Sequence, residues 1–150
     1  MIDVIVADPQ ELFQLGIQSL LAAASDIRIV GQPKSAEQLL CTLKQVKPHV
    51  LILSTSFLPM LPSLRPLVES RQMALLMLAE EDDRVVYLRW LRAQGVLYRS
   101  ADGPVIVDAM RRVARGELFV QHRSSDVKET TTKPISDATS GTEGSDLISF

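Results

Sequence analysis

The first 120 residues alternate between two periodicities. Short unbroken apolar runs, IDVIVA at 2–7, IRIVG at 27–31, VLILS at 50–54, ALLMLA at 74–79 and VLYR at 96–99, are rich in Val, Ile and Leu. Between them lie longer stretches in which apolar residues recur at helical spacing: QELFQLGIQSLLAAA (10–24), SAEQLLCTLKQV (35–46), SLRPLVES (63–70), DDRVVYLRWLRAQ (82–94) and PVIVDAMRRVAR (104–115). A strand reads as a continuous apolar run when both of its faces are buried, and the helices that bury it read as amphipathic. Five strands alternating with five helices call for parallel strands joined by right-handed crossovers. The pattern therefore predicts an α/β domain with a five-stranded parallel sheet, doubly wound.

The residues at the element boundaries support this reading. Ser35 followed by Gln38 has the form of a capping box, Gly103-Pro104 places a proline in the first turn of the last helix, and Gly116 after Arg115 is a stop signal. The third helix is the exception. Pro59, Pro62 and Pro66 crowd it, so it is expected to be short or distorted.

Beyond Val120 the period vanishes. The stretch RSSDVKETTTKPISDATSGTEGSDLISF is dense in Ser, Thr, Asp, Glu and Gly and has no aromatic before Phe150. It cannot bury enough apolar surface to offset its ordering entropy, so residues 121–150 are expected to be a disordered tail or linker. The apolar LISF at 147–150 has the look of the beginning of a further unit.

Composition narrows the function. The chain has 150 residues, 46% of them hydrophobic, enough for one domain at 1–120 with its own core. A net charge of -2 supplies no basic field for phosphates, so no direct nucleic-acid binding by this segment is expected. Cys41 is the single cysteine, no secretory leader is recognisable, and the longest apolar runs fall far short of the ~20 residues that span a bilayer. These features predict a cytoplasmic protein without a membrane anchor. His49 and His122 stand in different segments, which argues against a metal site. There is no nucleophile beside a base and no glycine loop for a phosphate, so neither an enzyme nor a cofactor is expected.

In a doubly wound sheet, ligands sit beyond the carboxyl ends of the strands. The residues just past the apolar runs are Asp8, Pro9, Ser54, Ala79 and Arg99. Together with VADPQELF, KPHVLILS, GVLYRSA and RRVARGELFV, in that order and spacing from Ile2 to about Val120, they make the chain resemble a response-regulator receiver domain of the LuxR-type, NarL-like subfamily. The resemblance implies a flavodoxin-like fold and a place in two-component signalling, with a helix-turn-helix domain following the tail. It also implies a phosphorylation site, and there this chain departs from the family. The family's adjacent acidic pair falls on Asp8 and Pro9, its phospho-accepting aspartate on Ser54, its hydroxyl residue within Met77 to Ala79, and its lysine on Arg99.

The expectation is thus a pseudo-receiver, with Ser54 as a degenerate acceptor, Asp8 and Pro9 as a degenerate acidic pocket, and Arg99 turned inward onto Asp8. Ser54 has a plainer reading as a strand-end hydroxyl that bonds local backbone, and Asp8 with Arg99 has one as a structural ion pair. The face on which receivers dock partners or dimerise maps to Arg84, Tyr87, Trp90, Leu91, Arg92, Tyr98, Arg111 and Arg112, where aromatics and arginines favour an interface. The alternative is that the apolar members are core and the arginines a solvated face. The partner is expected to be a protein or a second copy of the chain. Two further readings stay open: a stand-alone adaptor, and a receiver modified by a Ser/Thr kinase at Ser54, Thr55 or the tail.

Overall fold

The computed structural model describes residues 1–81 and 93–121. Strands β1 (Ile2–Ala7), β2 (Ile27–Gly31), β3 (Val50–Ser54), β4 (Ala74–Ala79) and β5 (Gly95–Tyr98) alternate with helices α1 (Glu11–Leu21), α2 (Ala36–Gln45), α3 (Leu61–Arg71) and α4 (Gly103–Ala114). The sheet is parallel throughout, in the order β2-β1-β3-β4-β5-β6. The sixth strand, β6 (Phe119–Val120), corrects the expectation of five. Two residues are too few to show a period, and only their pairing with Gly95 and Val96 makes them a strand.

Alternation along the strands sorts the core into two layers. Val4 and Val6 of β1 pack with Ile17 and Leu21 of α1 and with Ile106, Met110 and Val113 of α4. Ile5 and Ala7, one residue out of phase, pack with Leu39 and Leu43 of α2 and with Leu61 and Leu64 of α3. The central strand β3 is buried along its whole length. Each large aliphatic side chain taken from water there contributes about 1.5–3 kcal/mol.

Local chemistry sets the helix ends. The Ser35 side chain accepts from the Gln38 N–H at 3.2 Å, and the Gln38 side chain accepts from the Lys34 N–H at 2.8 Å, which secures the first turn of α2. The prolines expected to spoil the third helix are instead accommodated. Pro59 falls in a 3-10 segment (Thr55–Met60), and Pro62 in the first turn of α3, where no intrahelical N–H bond is required. Pro66 removes one interior bond, and α3 still runs for 11 residues. It stops at Gln72, whose φ of 56° is left-handed, with the Met73 N–H returning to the Val68 carbonyl at 3.1 Å.

Most of the helix expected over 82–94 and the tail from 122 onward lie outside the described residues. Ala93 and Gln94 are described and are not helical. Gln94 already pairs with β4, its N–H donating to the Leu75 carbonyl at 2.8 Å and its side chain accepting from the Leu75 N–H at 3.1 Å. Among the described residues no helix is long and apolar enough to cross a membrane.

Candidate functional site

Parallel pairing brings the carboxyl ends of β1, β3, β4 and β5 to one edge of the sheet, side by side. Four side chains converge there: Asp8 after β1, Ser54 closing β3, Glu80 after β4 and Arg99 after β5. Arg99 is the centre. One Nη pairs with Asp8 Oδ2, the other lies 3.3 Å from Ser54 Oγ, and Nε donates to Glu80 Oε2 at 2.7 Å. Its guanidinium carbon also sits 5.0 Å from the centroid of the Phe13 ring. The fork is thus spread over two carboxylates and a hydroxyl, with an aromatic face against it.

Asp8 is fully buried, and Arg99 keeps only 15% of its side chain in contact with solvent. A buried carboxylate persists when it is paired and hydrogen-bonded. Asp8 satisfies both conditions, since its other oxygen accepts from the Gln10 N–H at 2.7 Å. Pro9 is exposed and offers no donor or acceptor on its side chain. Ser54 is buried at 1% exposure, and its hydroxyl serves the chain just after it, 2.9 Å from Ser56 Oγ and 3.3 Å from the Ser56 N–H. That is the local backbone role expected of a strand-end serine.

A second polar group supports Asp8 from behind. Gln14 lies on the core-facing side of α1 with Ile17 and Leu21, 2% exposed. Its amide nitrogen donates to the Val6 carbonyl at 2.8 Å and the Asp8 carbonyl at 3.1 Å, and its oxygen accepts from Gln32 Nε2 at 2.9 Å. The sequence reading missed Gln14, Phe13 and Glu80. A polar residue on the apolar stripe of α1 was the available signal for the first, and the first polar residue after ALLMLA for the last; nothing in the sequence marked Phe13.

The expected docking face is only partly visible. Arg84, Tyr87, Trp90, Leu91 and Arg92 lie outside the described residues. Tyr98 does not belong to that face: it is 1% exposed and packs with Val96, Met77 and Ala79 in a core layer, because both sides of β5 are covered. Arg111 and Arg112 are about half exposed and engaged, Arg111 in a two-pronged pair with Asp26 at 2.8 and 2.9 Å and Arg112 with Asp108 at 2.9 Å. The Arg111 guanidinium holds the Asp26 carboxyl below its ordinary value.

This fold, with its polar residues gathered at the strand ends, is that of a receiver domain. The isolated receiver domain of RcsB from Salmonella enterica serovar Typhimurium matches it with a TM-score of 0.72 at 18% identity, covering 89% of this chain and 100% of that one. A structure of two RcsB dimers bound to two parallel DNAs matches with a TM-score of 0.73 at 17% identity, covering 85% of this chain and 68% of that one. In sequence the chain is similar to the response regulator GacA of Pseudomonas protegens, 29% identical over 125 residues that make up 80% of this chain and 59% of the relative. The chain therefore spans less than two thirds of the length of the curated relatives it matches. No family model matches it. The curated relatives it matches are response regulators, and its fold is that of the receiver domains it superposes on.

Proposed function

We propose that the chain is a pseudo-receiver: a receiver domain of a two-component-type response regulator that acts in signal transduction and transcription regulation by protein-protein contact or dimerisation, without a phosphoryl switch. The observation that carries this reading is the seat of Arg99. Its guanidinium lies between Asp8, Ser54 and Glu80, the space in which receivers would gather a metal ion and a phosphoryl group.

The residues present do not fit Mg²⁺. That ion takes about six oxygens in near-octahedral array. Beside Asp8 stand a proline, a neutral hydroxyl already bonded to Ser56, and a permanent cation that would repel a second one and that already engages the other carboxylate of the pocket, Glu80. Among the described residues Ser54 has no base as a hydrogen-bond partner to activate it, and at 1% exposure it is poorly placed for a kinase as well. We assign the docking face to Arg84, Tyr87, Trp90, Leu91 and Arg92 together with Arg111 and Arg112, and remove the buried Tyr98 from it. A DNA-binding part after residue 150 belongs to the same reading, and the gene sequence downstream tests it.

The deciding experiment is incubation with acetyl phosphate and Mg²⁺, followed by intact-mass measurement. An unchanged mass is expected, and a phosphoryl adduct on Ser54 would overturn the proposal. Restoring aspartate with Ser54→Asp should leave the mass unchanged too, since Pro9 still provides no ligand and Arg99 still fills the pocket.

A further inference from the structure

Residues 119–121 lie along β5 next to this site. After α4, Gly116 at φ 87° turns it back beside β5, and the two residues of β6 straddle the sheet, Phe119 packing with one core layer and Val120 with the other. The Phe119 N–H donates to the Gln94 carbonyl at 3.1 Å and the Gln121 N–H to the Val96 carbonyl at 2.9 Å. One step further the Gln121 side chain takes over from the backbone, its Oε1 accepting from the Tyr98 N–H at 2.8 Å. The seat is close: a Cβ on Gly95 would lie 2.8 Å from the Phe119 carbonyl oxygen. Glycine at 95 is what lets the strand approach.

The residue after Tyr98 is Arg99. The end of β5 is thereby held on three sides: by the Arg99 N–H on the Ala79 carbonyl at 2.9 Å, by the Arg99 side chain in the pocket, and by Gln121 on the opposite edge. Withdrawing the guanidinium removes the side-chain anchor, and the backbone at 98–99 is then held by the Ala79 carbonyl on one edge and Gln121 on the other. A two-residue strand with partly exposed side chains is also the kind of element that opens locally at low cost.

We propose that β6 and Gln121 form a displaceable strap whose docking is coupled to the seating of Arg99, so that the segment after residue 121 responds to the state of the strand-end pocket. Coupling of this kind is reciprocal: whatever pulls the strap away loosens Arg99, and whatever displaces Arg99 frees the strap. The inference does not depend on whether the pocket accepts a phosphoryl group.

Amide exchange followed by NMR on the full chain tests it. In Gln121→Ala, exchange at Tyr98, Phe119 and residue 121 should rise about tenfold, the effect of one lost hydrogen bond, while Val4 and Ile52 keep their protection and the Arg99 Nε–H signal shifts. In Arg99→Lys, which keeps a positive charge beside Asp8 but loses the fork to Glu80 and Ser54, the same strap amides should exchange several-fold faster. Unaltered strap protection in Arg99→Lys, or an unmoved Arg99 signal in Gln121→Ala, overturns the coupling. Should Arg99→Lys lower protection throughout the core, Glu80→Gln decides: faster exchange confined to the strap supports the inference, and no change there refutes it.

Discussion

Replacing Asp8 by Asn and Arg99 by Met should have unequal effects, and the inequality tests how dry the pocket is. Asn keeps the volume of Asp8 and an oxygen for the Gln10 N–H, so the loss is the attraction to Arg99. Arg99 is not stranded, because Glu80 and Ser54 remain within reach and 15% of its side chain meets water. The cost should be about 2 kcal/mol, in the range of a charge-assisted hydrogen bond. Arg99→Met leaves a carboxylate with no solvent exposure and only the Gln10 N–H for compensation. That change should cost about 4 kcal/mol, as uncompensated buried charges do. The double variant has no fully buried charge left to strand, since Glu80 is nearly half exposed, and should cost clearly less than the sum of the two. Urea unfolding at neutral pH and fixed salt measures all three, and the slope of the transition should stay constant. If Arg99→Met proves no worse than Asp8→Asn, or if the two effects simply add, then Asp8 is solvated and the packed ion pair described here is wrong.

Other outcomes follow from the rest of the fold. Because Arg111 holds the Asp26 carboxyl below its ordinary value of 3.8, the stability from that pair is complete above pH 3.8 and is lost as the pH falls through the lowered value. Asp26→Asn should accordingly destabilise the domain at pH 6 and lose its effect in strong acid, as thermal unfolding at several pH values would reveal; a pH-independent difference would contradict it. Gln72 closes α3 in a left-handed conformation that glycine adopts without steric cost, so Gln72→Gly should stabilise by about 1 kcal/mol in chemical unfolding. A destabilised variant would mean that the Gln72 side chain makes contacts outweighing its backbone strain.

Much of this molecule was legible in its sequence. Apolar runs at 2–7, 27–31, 50–54 and 74–79 became strands with those same bounds, and the last run shifted by one residue to Gly95–Tyr98. Doubly buried strands advertise themselves in this way, because each of their positions faces a hydrophobic layer. The meeting of Asp8 with Arg99 was legible too, since parallel pairing alone puts both at one edge and a buried carboxylate needs a partner. The sequence also placed Ser54 at the end of β3, and the tertiary structure decided that its hydroxyl turns to Ser56 and Arg99.

What local pattern could not reveal depends on contacts between distant segments. Tyr98 reads as an interface aromatic beside arginines, and the cover on both faces of β5 places it inside. β6 exists only as a partner of β5, and Gln14 is tolerated in the core only because the Val6 and Asp8 carbonyls and Gln32 satisfy its amide. Glu80 is an unremarked polar residue until the pairing of β4 with β5 brings it to Nε of Arg99. Sequence period records which side of an element is apolar; which polar groups meet across the sheet is settled when the strands take their order and register, and that is where the chemistry of this pocket was decided.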